Sequence, residues 1–215
     1  MVCAALSESQ FFGAERTVSH AAAPIRTDDL IVEVERLRGE VEALRLETAA
    51  LTRRAEAAEA AADHDVLTPT LNRRGFVRVL NRTMAWCARY DTTAVLLYLD
   101  LDKFKHVNDR LGHAAGDAAL VHVAQLLLAN VRESDSVGRL GGDEFGLLML
   151  NAGPDEGREK AQRLAATLDA DGFDWGDEKA ELGGSFGIRA WAQQADAESW
   201  LAEADAAMWL RKRSR

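Results

Sequence analysis

Two pairs of carboxylates carry most of the chemistry available to this chain. The apolar run Leu96–Leu99 leads straight into Asp100-Leu101-Asp102, and Asp143-Glu144 follows the glycines Gly141 and Gly142. Alternate side chains of a strand share a face, so Asp100 and Asp102 are expected to project together. Carboxylates at the end of an apolar strand are costly unless they are solvated, paired or bound to metal. The glycine pair lets the backbone turn tightly and lets a ligand approach without a Cβ in the way. If strand and turn are neighbours in one sheet, Asp100 and Glu144 can hold divalent ions between them. Mg²⁺ prefers a few carboxylates plus phosphate oxygens, the donor set of nucleotidyl transfer. Taken alone, either pair reads more readily as ordinary surface charge.

The elements that must position these groups follow from periodicity. Phe76, Val79, Leu80, Met84 and Cys87 predict a helix over Asn72–Arg89, and the β-branched and apolar run Thr92–Leu101 predicts a buried strand. A helix is expected over Ala115–Val131. Two short strands, Ser136–Leu140 and Glu144–Leu150, are joined at the glycine pair in hairpin style. A helix at 154–169, a strand near 182–190 and a last helix from about 197 complete the series. The order α-β-α-α-β-β-α-β-α implies an α+β fold, one sheet with antiparallel pairs and helices packed on it.

Upstream the pattern changes. Residues 1–27 have no period and contain Pro24, and they read as a flexible leader. From Asp28 to Ala62, Leu30, Val34, Leu37, Val41, Leu44, Thr48, Leu51, Ala55, Ala58 and Ala62 alternate steps of four and three. That is the rhythm of a coiled coil, and the narrow stripe is unlike the broader face of a helix laid on a globular core. A parallel homodimeric coiled coil over 28–62 is therefore expected, followed by a globular domain over 63–215. The whole chain of 215 residues carries a formal charge of −9. Such acidity disfavours a generic nucleic-acid binder, although a metal or a few placed cations can reverse the local field around a phosphorylated ligand. Two cysteines make no disulfide framework, no stretch approaches a membrane span, and no secretory signal is visible. A cytoplasmic location is the expectation.

The full string narrows the chemistry. Asp65-Val66-Leu67-Thr68-Pro69-Thr70-Leu71-Asn72-Arg73-Arg74 precedes Leu99-Asp100-Leu101-Asp102-Lys103-Phe104-Lys105-His106-Val107-Asn108-Asp109. Then come Gly112-His113-Ala114-Ala115-Gly116-Asp117 and Arg139-Leu140-Gly141-Gly142-Asp143-Glu144-Phe145. This series resembles the GGDEF-domain diguanylate cyclases from about residue 63 onward, with several independent motifs in the family's order and spacing. The resemblance implies a fold akin to nucleotide cyclases and polymerase palms, and the joining of two GTP into cyclic di-GMP with release of pyrophosphate. It implies Mg²⁺, or Mn²⁺ in its place, on Asp100, Glu144 and the Leu101 carbonyl, with Asp143 helping to activate the attacking 3′-hydroxyl. Asn108 and Asp117 match the guanine-reading positions. Lys103 and Phe104 backbone N–H groups, with Lys105, Gly141, Gly142 and Lys212, match the surroundings of the nucleotide and its triphosphate. His113 reads as a cap or packing residue. Arg132 and Asp135, the latter separated from Gly141 by five residues, match a product-inhibition site that Arg163 would complete.

Two departures bear on these expectations. Pro69 stands where the family usually has a glycine, a substitution with a local effect. The family's closing helix carries a Lys and, four residues later, an Arg; Lys212 matches the first, whereas the second falls beyond residue 215, leaving Arg213 or Arg215 as stand-ins. Since each subunit presents one GTP, the implied reaction needs two facing sites and hence a dimer. The competing expectation is a catalytically silent receptor for cyclic di-GMP or GTP that signals through the coiled coil. No input signal is legible, and an unidentified regulatory protein touching the leader or helix is one source of control.

Overall fold

The computed structural model describes residues 26–213. The expected leader lies almost wholly outside them. Contacts divide the chain into a unit ending at Arg53 and a unit from Arg54 onward. The first consists of most of helix α1 (Thr27–Ala62), where Leu30, Val34, Leu37, Val41, Leu44 and Leu51 are 45–56% exposed. Ion pairs from Arg36 to Glu33 and Glu40 line its surface.

The second unit is built on a five-stranded sheet. In chain order its elements are β1 (Leu71–Asn72), α2 (Arg73–Tyr90), β2 (Ala94–Asp102), α3 (Phe104–Leu111), α4 (His113–Ala129), β3 (Ser136–Arg139) and β4 (Glu144–Leu150). They continue with α5 (Pro154–Asp171), β5 (Phe173–Trp175), β6 (Glu178–Ala180), β7 (Gly183–Ala190) and α6 (Ala197–Arg213). The sheet order is β1-β3-β4-β2-β7; β1 runs parallel to β3 and the other pairs are antiparallel. This is the α+β architecture expected, with two additions, the two-residue β1 and the β5–β6 hairpin; the two helices expected after β2 are divided at Gly112 (φ +85).

Parity along β2 assigns each residue to a face. Val95, Leu97, Leu99 and Leu101 join Phe145, Leu127 and Leu164 in one core beneath α4 and α5. Ala94, Leu96 and Tyr98 join Phe76, Leu80, Trp200 and Met208 in the other, beneath α2 and α6. Burial on both sides explains why β2 reads as an unbroken apolar run. Continued by two-residue steps, the second face carries Asp100 and Asp102 out at the strand end toward α6.

The segment between α1 and α2 is fastened by polar contacts. Asn72 caps α2 by accepting from the Gly75 N–H at 2.9 Å, and its amide donates to the carbonyls of Ala62 and His64. Buried Asp63 pairs with Arg74 at 3.1 Å and Arg78 at 2.7 Å. Pro69 is exposed in a turn bridged by the Thr68 and Thr70 hydroxyls 2.8 Å apart, so the substitution for glycine is absorbed locally.

Candidate active site

The carboxylates meet where β2 and β4 end together. Asp100 is in register with Glu144, and both lie on the α6 side of the sheet. The Leu101 N–H donates to the Asp143 carbonyl at 3.1 Å. N–H and C=O of one strand residue point to the same side, so the Leu101 carbonyl also faces the Gly141–Gly142 turn. Neither glycine of that turn has positive φ. A Cβ at Gly141 would meet Glu144 Oε2, the movable end of that side chain, whereas open space surrounds Gly142. A tight turn needs no positive φ, and the Leu140 and Gly141 N–H groups close this one on the Glu144 carbonyl.

Electrostatics mark the group as crowded. Partial burial, then the nearby Asp100 charge, holds Asp143 above the usual carboxylate range. Burial likewise raises Glu144, only partly offset by the Tyr98 hydroxyl that donates to it, and Asp100, Asp205 and Asp143 add repulsion. Tyr98 in turn is raised by burial and by Glu144. Lys212 of α6 sets its ammonium on Asp100 and stands 3.8 Å from Asp102. Burial alone would lower the lysine; the bond to Asp100 and the surrounding carboxylates outweigh that and raise it. Ser185, buried on β7, donates to Asp102 at 2.8 Å.

This donor set fits a divalent ion. Among the described residues no three His, Cys, Asp or Glu side chains form a self-sufficient cage. Two carboxylates in register and an inward carbonyl are instead the partial set that Mg²⁺ takes when phosphate oxygens and water supply the rest. A cation already drawn to Asp100, here an ammonium, shows the field such an ion would meet.

The remaining expected residues surround this point. Lys103 holds a left-handed conformation (φ 58°) ahead of α3, with no side-chain cap, so the first-turn N–H groups near Lys103, buried Phe104 and exposed Lys105 are open to an anion. Asn108 on α3 stands beside α4, the helix that carries Asp117. Gly116 makes room for Asn108, since a Cβ would strike its Oδ1. His113 is exposed at the start of α4. Of the two C-terminal stand-ins, Arg213 lies over the Trp209 ring at 4.5 Å, away from the carboxylates, and Arg215 lies outside the described residues.

Arg132 and Asp135 form a closed turn ahead of β3: the Arg132 N–H donates to Asp135 Oδ2 at 3.1 Å, and the Asp135 N–H returns to the Arg132 carbonyl at 3.0 Å. The Leu150 N–H donates to the same aspartate at 3.3 Å. Arg163 approaches from α5 together with Lys160, which burial and then the Arg163 charge hold below its usual range. Sequence reasoning missed Lys160; its place one helical turn before Arg163 was the available signal.

Sequence reasoning also missed the brace behind the Gly141–Gly142 turn. Arg139 donates twice to the Gly142 carbonyl, at 3.2 and 2.7 Å, and once to Asp65 Oδ1 at 3.2 Å. Asp65 also accepts from Leu67 N–H, Thr68 N–H and the Thr68 hydroxyl; burial alone would raise its pKa, but the Thr68 bonds and then Arg139 outweigh that and lower it. The segment after α1 is thereby tied through one guanidinium to the turn that carries Asp143 and Glu144.

Comparison with known proteins agrees with this geometry. The family model described as the diguanylate cyclase GGDEF domain matches residues 62–215. A probable diguanylate cyclase, DgcE of Escherichia coli K12, is 40% identical over 127 residues, 59% of this chain and 12% of DgcE. The diguanylate cyclase TpbB of Pseudomonas aeruginosa is 43% identical over 111 residues, 51% of this chain and 25% of TpbB. The chain thus spans a quarter or less of these relatives. Among solved structures, a sensory box/GGDEF family protein of Caulobacter crescentus superposes with TM-score 0.68 at 33% identity, covering 71% of this chain and 99% of that one. The diguanylate cyclase SiaD of P. aeruginosa, solved with its activator SiaC, gives TM-score 0.68 at 27% identity over 87% of this chain and 75% of SiaD.

Proposed function

The chain belongs to the GGDEF-domain family of diguanylate cyclases, and on that premise we propose that it condenses two GTP molecules into cyclic di-GMP and two pyrophosphates. The observation that carries the reading is the register of Asp100 with Glu144 beside an inward Leu101 carbonyl and a clear Gly142. Bound there, Mg²⁺ or Mn²⁺ would neutralise charge developing on the α-phosphate and acidify the attacking hydroxyl.

The chain's own residues do the rest. Asn108 and Asp117 read the guanine edge from α3 and α4. The open N–H groups ahead of α3 and the Lys105 ammonium hold the phosphates, and Lys212 moves from Asp100 to the polyphosphate when substrate arrives. Asp143, whose carboxyl burial and then the Asp100 charge hold above the usual range, would accept the proton of the 3′-hydroxyl. Each bond formed, from a 3′-oxygen to an α-phosphorus, displaces one pyrophosphate, and two half-sites must face each other for the ring to close. The exposed apolar seam of α1 supports pairing as a parallel coiled coil that brings the domains together. Arg132 and Asp135, with Arg163 and Lys160 beside them, constitute the product site for feedback inhibition.

Purified chain with Mg²⁺ and GTP, assayed for cyclic di-GMP by chromatography, tests the reading, with Asp100→Asn as the control. Tight cyclic di-GMP binding with no product at any protein concentration would favour the silent receptor. The intact set Asp100, Asp143 and Glu144, which such a receptor has no need to keep, argues against it.

A further inference from the structure

A cleft of about 450 Å³ opens between α3 and the β5–β6 hairpin, on the far side of Lys103 from the carboxylates. Lys103, His106 and Arg110 line one wall, and Lys179 of β6 lines the other with Glu181. Three permanent cations around one cleft run against a chain of formal charge −9. The walls are also fastened. Arg110 donates to the Lys179 carbonyl at 2.9 Å while its Nε pairs loosely with Glu178 at 3.7 Å, tying α3 to the hairpin. The Lys179 stem lies across Gly172, where φ is +58 and an added Cβ would stand 2.9 Å from Lys179 Cε and 2.8 Å from the Ala180 carbonyl. A side chain at 172 would displace the lysine.

The cleft adjoins the larger one, about 550 Å³, that contains Asp102, Ser185 and Lys212, and the two share Lys103 and Glu181. A phosphate group leaving the carboxylates past Lys103 therefore enters it directly.

We propose that this cleft is a binding site for a diphosphate, and that it receives the pyrophosphate displaced from GTP; the second clause rests on the cyclase reading, the first does not. Guanidinium and ammonium groups bind phosphate oxygens through charge-assisted hydrogen bonds. Three cations opposed by Glu181 and a shared Glu178 leave the cleft net positive, a field that draws an anionic phosphate group. No Phe, Tyr or Trp is among the lining residues, and His106 is the one ring there. The same diphosphate chemistry is carried by GDP, and the test separates the two sources.

Calorimetric titration of the full chain with inorganic pyrophosphate, with and without a saturating GTP analogue that cannot be cleaved between its α- and β-phosphates, reads the site without turnover. One pyrophosphate is expected to bind beside the analogue. Lys179→Glu, on an exposed strand, is expected to weaken that binding at least tenfold with unchanged circular dichroism, and Lys179→Arg to retain it. Loss of pyrophosphate binding when the analogue is present, or no change in Lys179→Glu, overturns the site. GDP binding beside the analogue as tightly as pyrophosphate overturns the leaving-group assignment. If the analogue itself does not bind, the cyclase reading fails, and the effect of Lys179→Glu on pyrophosphate still decides the cleft.

Discussion

The brace from Asp65 through Arg139 to Gly142 makes a quantitative demand. Both side chains are largely covered, 17% and 16% exposed, so their pairing falls between a surface ion pair and a fully buried one. Arg139→Ala removes one charge-assisted bond to Asp65 and two to the Gly142 carbonyl, and leaves Asp65 with its turn contacts; a loss of about 3 kcal/mol is expected. Asp65→Asn keeps an acceptor for Thr68 but removes the charge facing the guanidinium, about 1.5 kcal/mol. Because the shared bond can be lost only once, the double variant should lose about 3.5 kcal/mol, a coupling of about 1 kcal/mol. Urea unfolding of the four proteins measures the cycle. In the same proteins, pyrophosphate release from GTP should show kcat falling by about tenfold or more in Arg139→Ala with a smaller change in KM, since the turn carries Asp143 and Glu144 whereas the residues proposed to read guanine lie on α3 and α4. An additive cycle, or Arg139→Ala with wild-type kcat, would refute the brace.

Other consequences follow from the same geometry. Folded-state Glu144 and Asp143 lie above the usual carboxylate range, so between that range and their raised values the native state binds more protons than the unfolded chain, and the metal-free protein should gain stability as pH is lowered through this window. Asp65 acts oppositely: its folded pKa is lowered, and the stability it contributes is lost as pH falls through that value. Glu144→Gln should accordingly flatten the first effect and raise the metal-free Tm by about 2 °C near neutral pH, while abolishing the shift on adding Mg²⁺ with GTP; differential scanning calorimetry reads both. Arg132→Ala should leave the initial rate intact and remove inhibition by added cyclic di-GMP, and unchanged product sensitivity would defeat the assignment. Charged substitutions at Leu37 and Leu44 should yield monomers by sedimentation with at least a tenfold loss of activity, restored by grafting an unrelated parallel coiled coil; full activity in a verified monomer contradicts the facing-sites requirement.

How far the fold was legible depended on the range of each interaction. Strand β2 could be read because burial on both faces leaves an unbroken apolar run, and its carboxylate end because two-residue parity carries Asp100 and Asp102 out together. Helices α2, α5 and α6 kept their local periodicity. The place of the α3–α4 division depended on the backbone at Gly112, and β1 and the β5–β6 hairpin have strands of two or three residues, too short to establish a period. The brace was hidden for a different reason. Asp65 and Arg139 are 74 residues apart, Asp102 and Ser185 83, and Asp100 and Lys212 112, and no local pattern encodes a pairing at such separation. At Gly141 and Gly142 both the turn and the room for a ligand were legible, whereas the closeness of Gly141 to the Glu144 carboxylate was not.

The central claim is most directly tested by phosphorus NMR of the purified chain with GTP and Mg²⁺. The account predicts GTP resonances giving way to one cyclic di-GMP for every two pyrophosphates, at a specific rate that rises with protein concentration until dimers saturate, and no conversion by Glu144→Gln. GTP left intact by the wild-type chain at concentrations where it is dimeric, or equal conversion by the variant, would contradict it.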